Sequence, residues 1–197
     1  MTKMAVFLDR DGTLNVEKGY VHRIDDWEWI PGAIESILSL KKLGFLVVVV
    51  TNQAGIARGY YSESDMHKLH EHINQELKKH STCIDAFYHC PHHAEFGKIR
   101  DCECRKPLPG MIEQAKSDLD IDLTHSWLIG DKISDIQAGM AAGVKSILVQ
   151  TGYGHKERHL QEEAGICVED IVAASNYIIA RASLNSIPTN QNLEVTQ

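Results

Sequence analysis

Short apolar runs alternate along this chain with segments of helical periodicity, and that alternation restricts the possible folds more than any other feature. Met4–Leu8, Phe45–Val50, Ile84–Tyr88, Ser126–Ile129 and Val144–Val149 read as strands, with Ile166–Val168 as a sixth. Several of these runs are apolar throughout, as expected of strands covered on both faces. Between them, Pro31 suits the first turn of a helix closed by Gly44, and Ser62 an N-cap before Met66, Leu69, Ile73 and Leu77. Pro109 opens a helix through Leu119, Ser134 caps one ending near Gly143, and a last helix covers Asp170–Arg181. Strands that alternate with helices need right-handed crossovers and a mainly parallel sheet. The expected architecture is a three-layer, Rossmann-like α/β fold with helices on both faces of the sheet. Residues 1–182 form one domain in this reading, and the polar segment 183–197, with Pro188 and three asparagines, is expected to be disordered.

Composition narrows the function classes. At 197 residues and 22.1 kDa the chain is one domain of ordinary size. A net charge of -7 argues against a general nucleic-acid binder, which usually carries a basic face. An anionic small substrate needs only a few local cations and stays open. The run Phe45–Val50 is far shorter than the roughly 18 residues of a membrane span, and no export signal is legible, so the cytoplasm is the expected compartment. There, five cysteines are poor disulfide formers.

Ligands of open α/β sheets bind at the carboxyl ends of the strands, so the residues that follow each strand matter most. After the first strand comes Asp9-Arg10-Asp11-Gly12-Thr13-Leu14, and after the second Thr51-Asn52-Gln53. After the fourth comes Gly130-Asp131-Lys132 with Asp135 beyond, and Arg105-Lys106-Pro107 stands ahead of the preceding helix. Extended backbone places Asp9 and Asp11 on one side. This set suits phosphoryl transfer. One carboxylate can attack phosphorus, a second can move the proton, and fixed cations can hold the phosphoryl oxygens. Magnesium prefers a few carboxylates with water and substrate phosphate.

Taken in order, these four motifs resemble those of the haloacid dehalogenase-like phosphatases, over about residues 5 to 150. The longer stretches Phe7 to Thr13, Thr51 to Gly59, Cys90-Pro91-His92-His93 and Cys102-x-Cys104-Arg105-Lys106-Pro107 resemble a narrower branch. That branch contains heptose bisphosphate and histidinol-phosphate phosphatases. The resemblance implies that Asp9 is the nucleophile, Asp11 the general acid/base, and Thr51 and Lys106 the groups that hold the phosphoryl oxygens. It implies Mg²⁺ on Asp9, the backbone carbonyl of Asp11 and Asp131. Asp135 would stand behind the metal or serve as a helix N-terminal aspartate. Asn52, Arg105 and Lys132 are the candidate substrate contacts, with Arg105 suited to a remote second phosphate; Lys18 and Arg58 are weaker candidates.

Cys90, His92, Cys102 and Cys104 offer three thiolates and an imidazole, a common tetrahedral zinc set. His89 and His93 flank Cys90, and spacing alone leaves open which histidine ligates; the family pattern favours His92. Four protein ligands close the shell, so this zinc is expected to be structural and to pin the loop of residues 89–107. Cys83 and Cys167 are expected to be small buried apolar residues.

Neither crossover leaves room for a large cap domain, so an open site is expected, with specificity in Val16–Trp29 and the zinc loop. The resemblance then implies hydrolysis of the 7-phosphate of a heptose 1,7-bisphosphate, in ADP-heptose precursor synthesis for lipopolysaccharide. The alternatives are a stand-alone histidinol-phosphate phosphatase and a non-catalytic zinc-binding interaction module. A small phosphorylated metabolite is the expected partner, without nucleic acid or membrane. The sequence leaves the oligomeric state open, with a monomer as the default.

Overall fold

The computed structural model describes residues 2–157, 159 and 164–185. Six parallel strands form one sheet in the order β3-β2-β1-β4-β5-β6. They are β1 (Ala5–Leu8), β2 (Leu46–Asn52), β3 (Ala86–Cys90), β4 (Trp127–Gly130), β5 (Lys145–Val149) and β6 (Cys167–Val168). Among the described residues the longer helices are α1 (Ala33–Lys42), α2 (Glu63–Lys79), α3 (Gly110–Leu119), α4 (Ile133–Ala141) and α5 (Ile171–Asn185).

Strand alternation divides the core into two layers. Val6, Leu8, Val47 and Val49 meet Ile37 and Leu40 of α1, Leu69 and Ile73 of α2, and Ile178 of α5. Ala5, Phe7, Val48 and Val50 meet Met111, Ile112 and Ala115 of α3 and Ala138 of α4. The three layers expected from sequence are therefore present. Because β1 lies between β2 and β4, the chain order reverses there, and the carboxyl ends of β1 and β4 open onto one crevice. Among the described residues no domain is inserted between β1 and β2 or between β2 and β3, and no helix is long and apolar enough to cross a membrane.

Local signals held where the capping group is in sequence next to its target. Ser62 caps α2 as expected, its Oγ accepting from the Asp65 N–H at 3.2 Å while Asp65 accepts from the Ser62 N–H at 3.1 Å. Elsewhere boundaries moved. Helix α4 starts at Ile133, not after Ser134, because the Asp135 carboxylate reaches back to the Lys132 N–H at 3.0 Å. Helix α1 follows Gly32, whose φ of 79° ends the approach from Pro31. Helix α5 runs to Asn185, so residues 183–185 of the expected disordered segment are helical; residues 186–197 lie outside the described residues. Cys83 and Cys167 are half-buried rather than buried.

Candidate active site

Asp9 directly follows β1 and Asp131 directly follows β4, while Lys106 arrives from the loop before α3. All three residues are nearly inaccessible, at 5%, 0% and 5% exposure. Lys106 Nζ donates to Asp9 Oδ1 at 2.6 Å and to the Val50 carbonyl at 2.7 Å, and pairs with Asp135 Oδ1 at 2.6 Å. Burial alone would raise the Asp9 carboxyl, but the charges of Lys106 and Lys132 outweigh it and hold Asp9 below the usual carboxylate range. The buried Asp9 is therefore held in its ionised form. Burial opposes the charge on Lys106 too, and Asp135 and Asp9 more than restore it.

Oxygens of Asp9, Asp131 and Asp135 lie within 4.8 Å of one another. Asp135 has both oxygens engaged, one by Lys106 and one by the Lys132 N–H. Asp131 differs. Its Oδ2 accepts from the Tyr153 N–H at 2.7 Å, but its buried Oδ1 has no hydrogen-bond partner among the described residues. The nearest cation, Lys132 Nζ, is 3.9 Å from that oxygen. Burial and the neighbouring Asp9 charge push the Asp131 carboxyl up to about 8. An orphaned carboxylate oxygen in a crowded anionic cluster fits a divalent cation, which would satisfy the oxygen and relieve the repulsion. Gly12, at φ 92°, makes room for this: a Cβ there would run into Asp131 Oδ2.

The Asp11 carboxylate stands apart from that cluster, held by a network that sequence reading missed. Arg10, fully buried, donates to it through Nε at 3.1 Å and Nη2 at 2.9 Å. Asn15 Nδ2 at 3.1 Å and Gln53 Nε2 at 3.0 Å complete the clamp, and Tyr61 Oη fixes Gln53 at 2.6 Å. The only sequence signal was parity: if Asp9 and Asp11 face the cleft, Arg10 faces away, into the layer under α2. Gln53 Nε2 also donates to Thr51 Oγ1 at 2.8 Å, tying the two motifs together.

The remaining candidates divide by position. Asn52 spends its amide on Lys106, with Nδ2 donating to the Lys106 carbonyl and Oδ1 accepting from the Lys106 N–H, both at 3.1 Å. It positions the lysine as much as it faces the cleft. Arg105 Nη1 donates to the His92 carbonyl at 3.0 Å, and Lys132 Nζ lies 4.4 Å from the centre of the Tyr153 ring. A cleft of about 480 Å³ is lined by Asp9, Asp11, Thr51, Asn52, Lys106 and Lys132. Glu17, Gly19 and Tyr20, from the segment after β1, also line it, as do Arg58, His93 and Arg105. Lys18 instead pairs with Glu28 at 2.8 Å.

Cys90, His92, Cys102 and Cys104 present four ligand atoms within 4.8 Å of one another. The Cys90–Cys102 sulfurs are 3.7 Å apart and Cys104 Sγ is 3.4 Å from His92 Nδ1. A tetrahedral zinc with ordinary bond lengths has edges of about 3.8 Å and 3.5 Å for these pairs, so the donor set fits zinc. His93 is turned away to Arg58 at 3.1 Å, and His89 faces Glu63 on the opposite side of β3.

Comparison with known proteins bears on this geometry. A family model described as HAD-hydrolase-like matches residues 103–175. A D-glycero-beta-D-manno-heptose-1,7-bisphosphate 7-phosphatase of Pasteurella multocida is 50% identical over 154 residues, 76% of this chain and 83% of the relative. The chain belongs to this family of haloacid dehalogenase-like phosphatases. It is a phosphoric monoester hydrolase. The Escherichia coli K12 relative of the same name is 48% identical over 153 residues, 75% of this chain and 80% of the relative. A D,D-heptose 1,7-bisphosphate phosphatase structure from B. bronchiseptica, complexed with magnesium and phosphate, superposes with a TM-score of 0.82 at 33% identity, covering 90% of this chain and 99% of that one.

Proposed function

We propose that this phosphatase hydrolyses the 7-phosphate of D-glycero-D-manno-heptose 1,7-bisphosphate in the cytoplasm, in ADP-heptose precursor synthesis for lipopolysaccharide. The observation that carries the reading is Lys106 bridging Asp9 and Asp135 beside the orphaned Asp131 oxygen, in a chain whose relatives bear that name. Asp9, ionised by Lys106, attacks phosphorus and forms a phosphoryl–carboxylate bond as the ester bond to the sugar oxygen breaks. Asp11, aimed by Arg10, Asn15 and Gln53, gives its proton to that leaving oxygen. Water then attacks the same phosphorus, Asp11 takes its proton, and Asp9 leaves as carboxylate with inorganic phosphate as product. Thr51 and Lys106 hold the phosphoryl oxygens throughout. Asp9, the Asp11 carbonyl and Asp131 would hold Mg²⁺, which would supply positive charge to those oxygens.

The open cleft supports recognition of a small phosphorylated sugar by Arg105, whose fork suits a second phosphate. A panel comparing phosphate release from the heptose bisphosphate and from histidinol phosphate tests the assignment. The sugar bisphosphate is expected to have the higher kcat/KM, and a preference for histidinol phosphate overturns it.

Zinc on Cys90, His92, Cys102 and Cys104 fits a structural role, because Arg105 leans on the His92 carbonyl and Lys106 follows it in the chain. Cys104→Ser is expected to lose zinc on metal analysis and to lower activity by about 10- to 100-fold through a loosened Arg105 and Lys106. Full zinc occupancy in that variant contradicts the ligand set.

A further inference from the structure

We infer that Glu63, His67 and His89 form a second transition-metal site, separate from both the thiolate loop and the cleft. Glu63 and His67 are four residues apart in the first turns of α2 and so share one face. His89 comes from β3, an edge strand of the sheet. Strand alternation sends Cys90 toward α3 and its predecessor His89 toward α2, as it does Phe87, which stacks on His70 of α2 at 4.3 Å between ring centres. The three side chains therefore meet because of the packing of α2 on β3.

One ligand atom from each lies within 4.8 Å of the others. His89 Nε2 stands 3.7 Å from Glu63 Oε2, longer than a good hydrogen bond and close to the edge of about 3.4 Å of a tetrahedron of nitrogen and oxygen around zinc. The rings of His67 and His89 are 5.4 Å apart and 85° to each other, so both can turn a nitrogen to a common point. Glu63 and His67 are exposed and His89 half-buried, which leaves an entry path and open positions for water. Two imidazoles with one carboxylate favour zinc, nickel or cobalt over magnesium or calcium, which prefer oxygen. The bound ion would tie the start of α2 to the strand carrying Cys90, so that the two faces of β3 each hold a metal.

Nickel(II) alone is the probe, added to the untagged, zinc-replete chain and followed by equilibrium dialysis with metal analysis and by thermal melting. The parent chain is expected to bind one more Ni²⁺ equivalent than His67→Ala and to melt higher with Ni²⁺, a rise absent in the variant. Glu63→Gln should bind that equivalent at least about tenfold more weakly, since losing even an outer partner of a ligand costs that much. Both variants change exposed side chains outside the cleft and should keep phosphatase activity and metal-free melting. Equal nickel uptake by the parent and His67→Ala overturns the site, as does nickel that only displaces zinc from the thiolate loop.

Discussion

Asp9→Asn is expected to lower phosphate release by at least about 10⁴-fold, because an amide cannot form the phosphoryl bond. The fold should survive. Asn is nearly the same size, Lys106 keeps its pair with Asp135, and one of three crowded carboxylates is discharged. The melting temperature is expected to stay within roughly 4 °C of the parent, the shift that about 1 kcal/mol produces in a chain of this size. Steady-state phosphate release and circular dichroism melting check both halves. A folded Asp9→Asn variant with activity within tenfold of the parent removes Asp9 from the nucleophile role.

Lys106→Met carries the second large effect, and it separates charge from scaffold. Both hydrogen bonds between Asn52 and residue 106 run to the backbone, so the loop remains anchored when the ammonium is lost. Asp9 and Asp135 are then left buried beside Asp131 without their shared cation, and breaking a buried pair costs about 3–5 kcal/mol. That corresponds to a fall in melting temperature of roughly 6–20 °C. Activity should drop by about 10²–10³-fold as the donor to the phosphoryl oxygens disappears. Magnesium should recover part of the lost stability and EDTA should deepen the loss, since a divalent cation offsets the same carboxylates. A Lys106→Met chain that melts like the parent in EDTA shows that the lysine does not balance the cluster.

The groups that these two variants change differ in how far they are readable from a chain alone. Asp9, Thr51 and Asp131 follow apolar runs whose type and length mark strands, and parallel topology sends strand ends to one edge. Lys106, 97 positions from Asp9, lies in a loop; the resemblance to the phosphatase family, and not strand topology, implied its place at the phosphoryl oxygens, and its bond to Asp9 is a tertiary result. The N-cap at Ser62 was equally legible, because its oxygen and the Asp65 N–H that it accepts from lie within one turn. Cys90, His92, Cys102 and Cys104 were legible as a metal-type cluster, but spacing left three histidines in play.

Tertiary packing decided the rest. Arg10 looks like a charged residue in a loop, yet it is buried against its neighbour Asp11 and against Gln53 and His70 of α2, two partners far from it in sequence. Asn52 reads as a substrate contact, and only the approach of the Lys106 loop turns its amide toward backbone. His89 reads as a rival zinc ligand until strand parity and the docking of α2 turn it toward Glu63 and His67. Strand positions, helix caps and carboxylate spacing are local properties, carried by periodicity and by residues within a turn of each other. Which buried polar group satisfies which other depends on how helices seat on the sheet, a nonlocal outcome set by the packing of the two apolar layers.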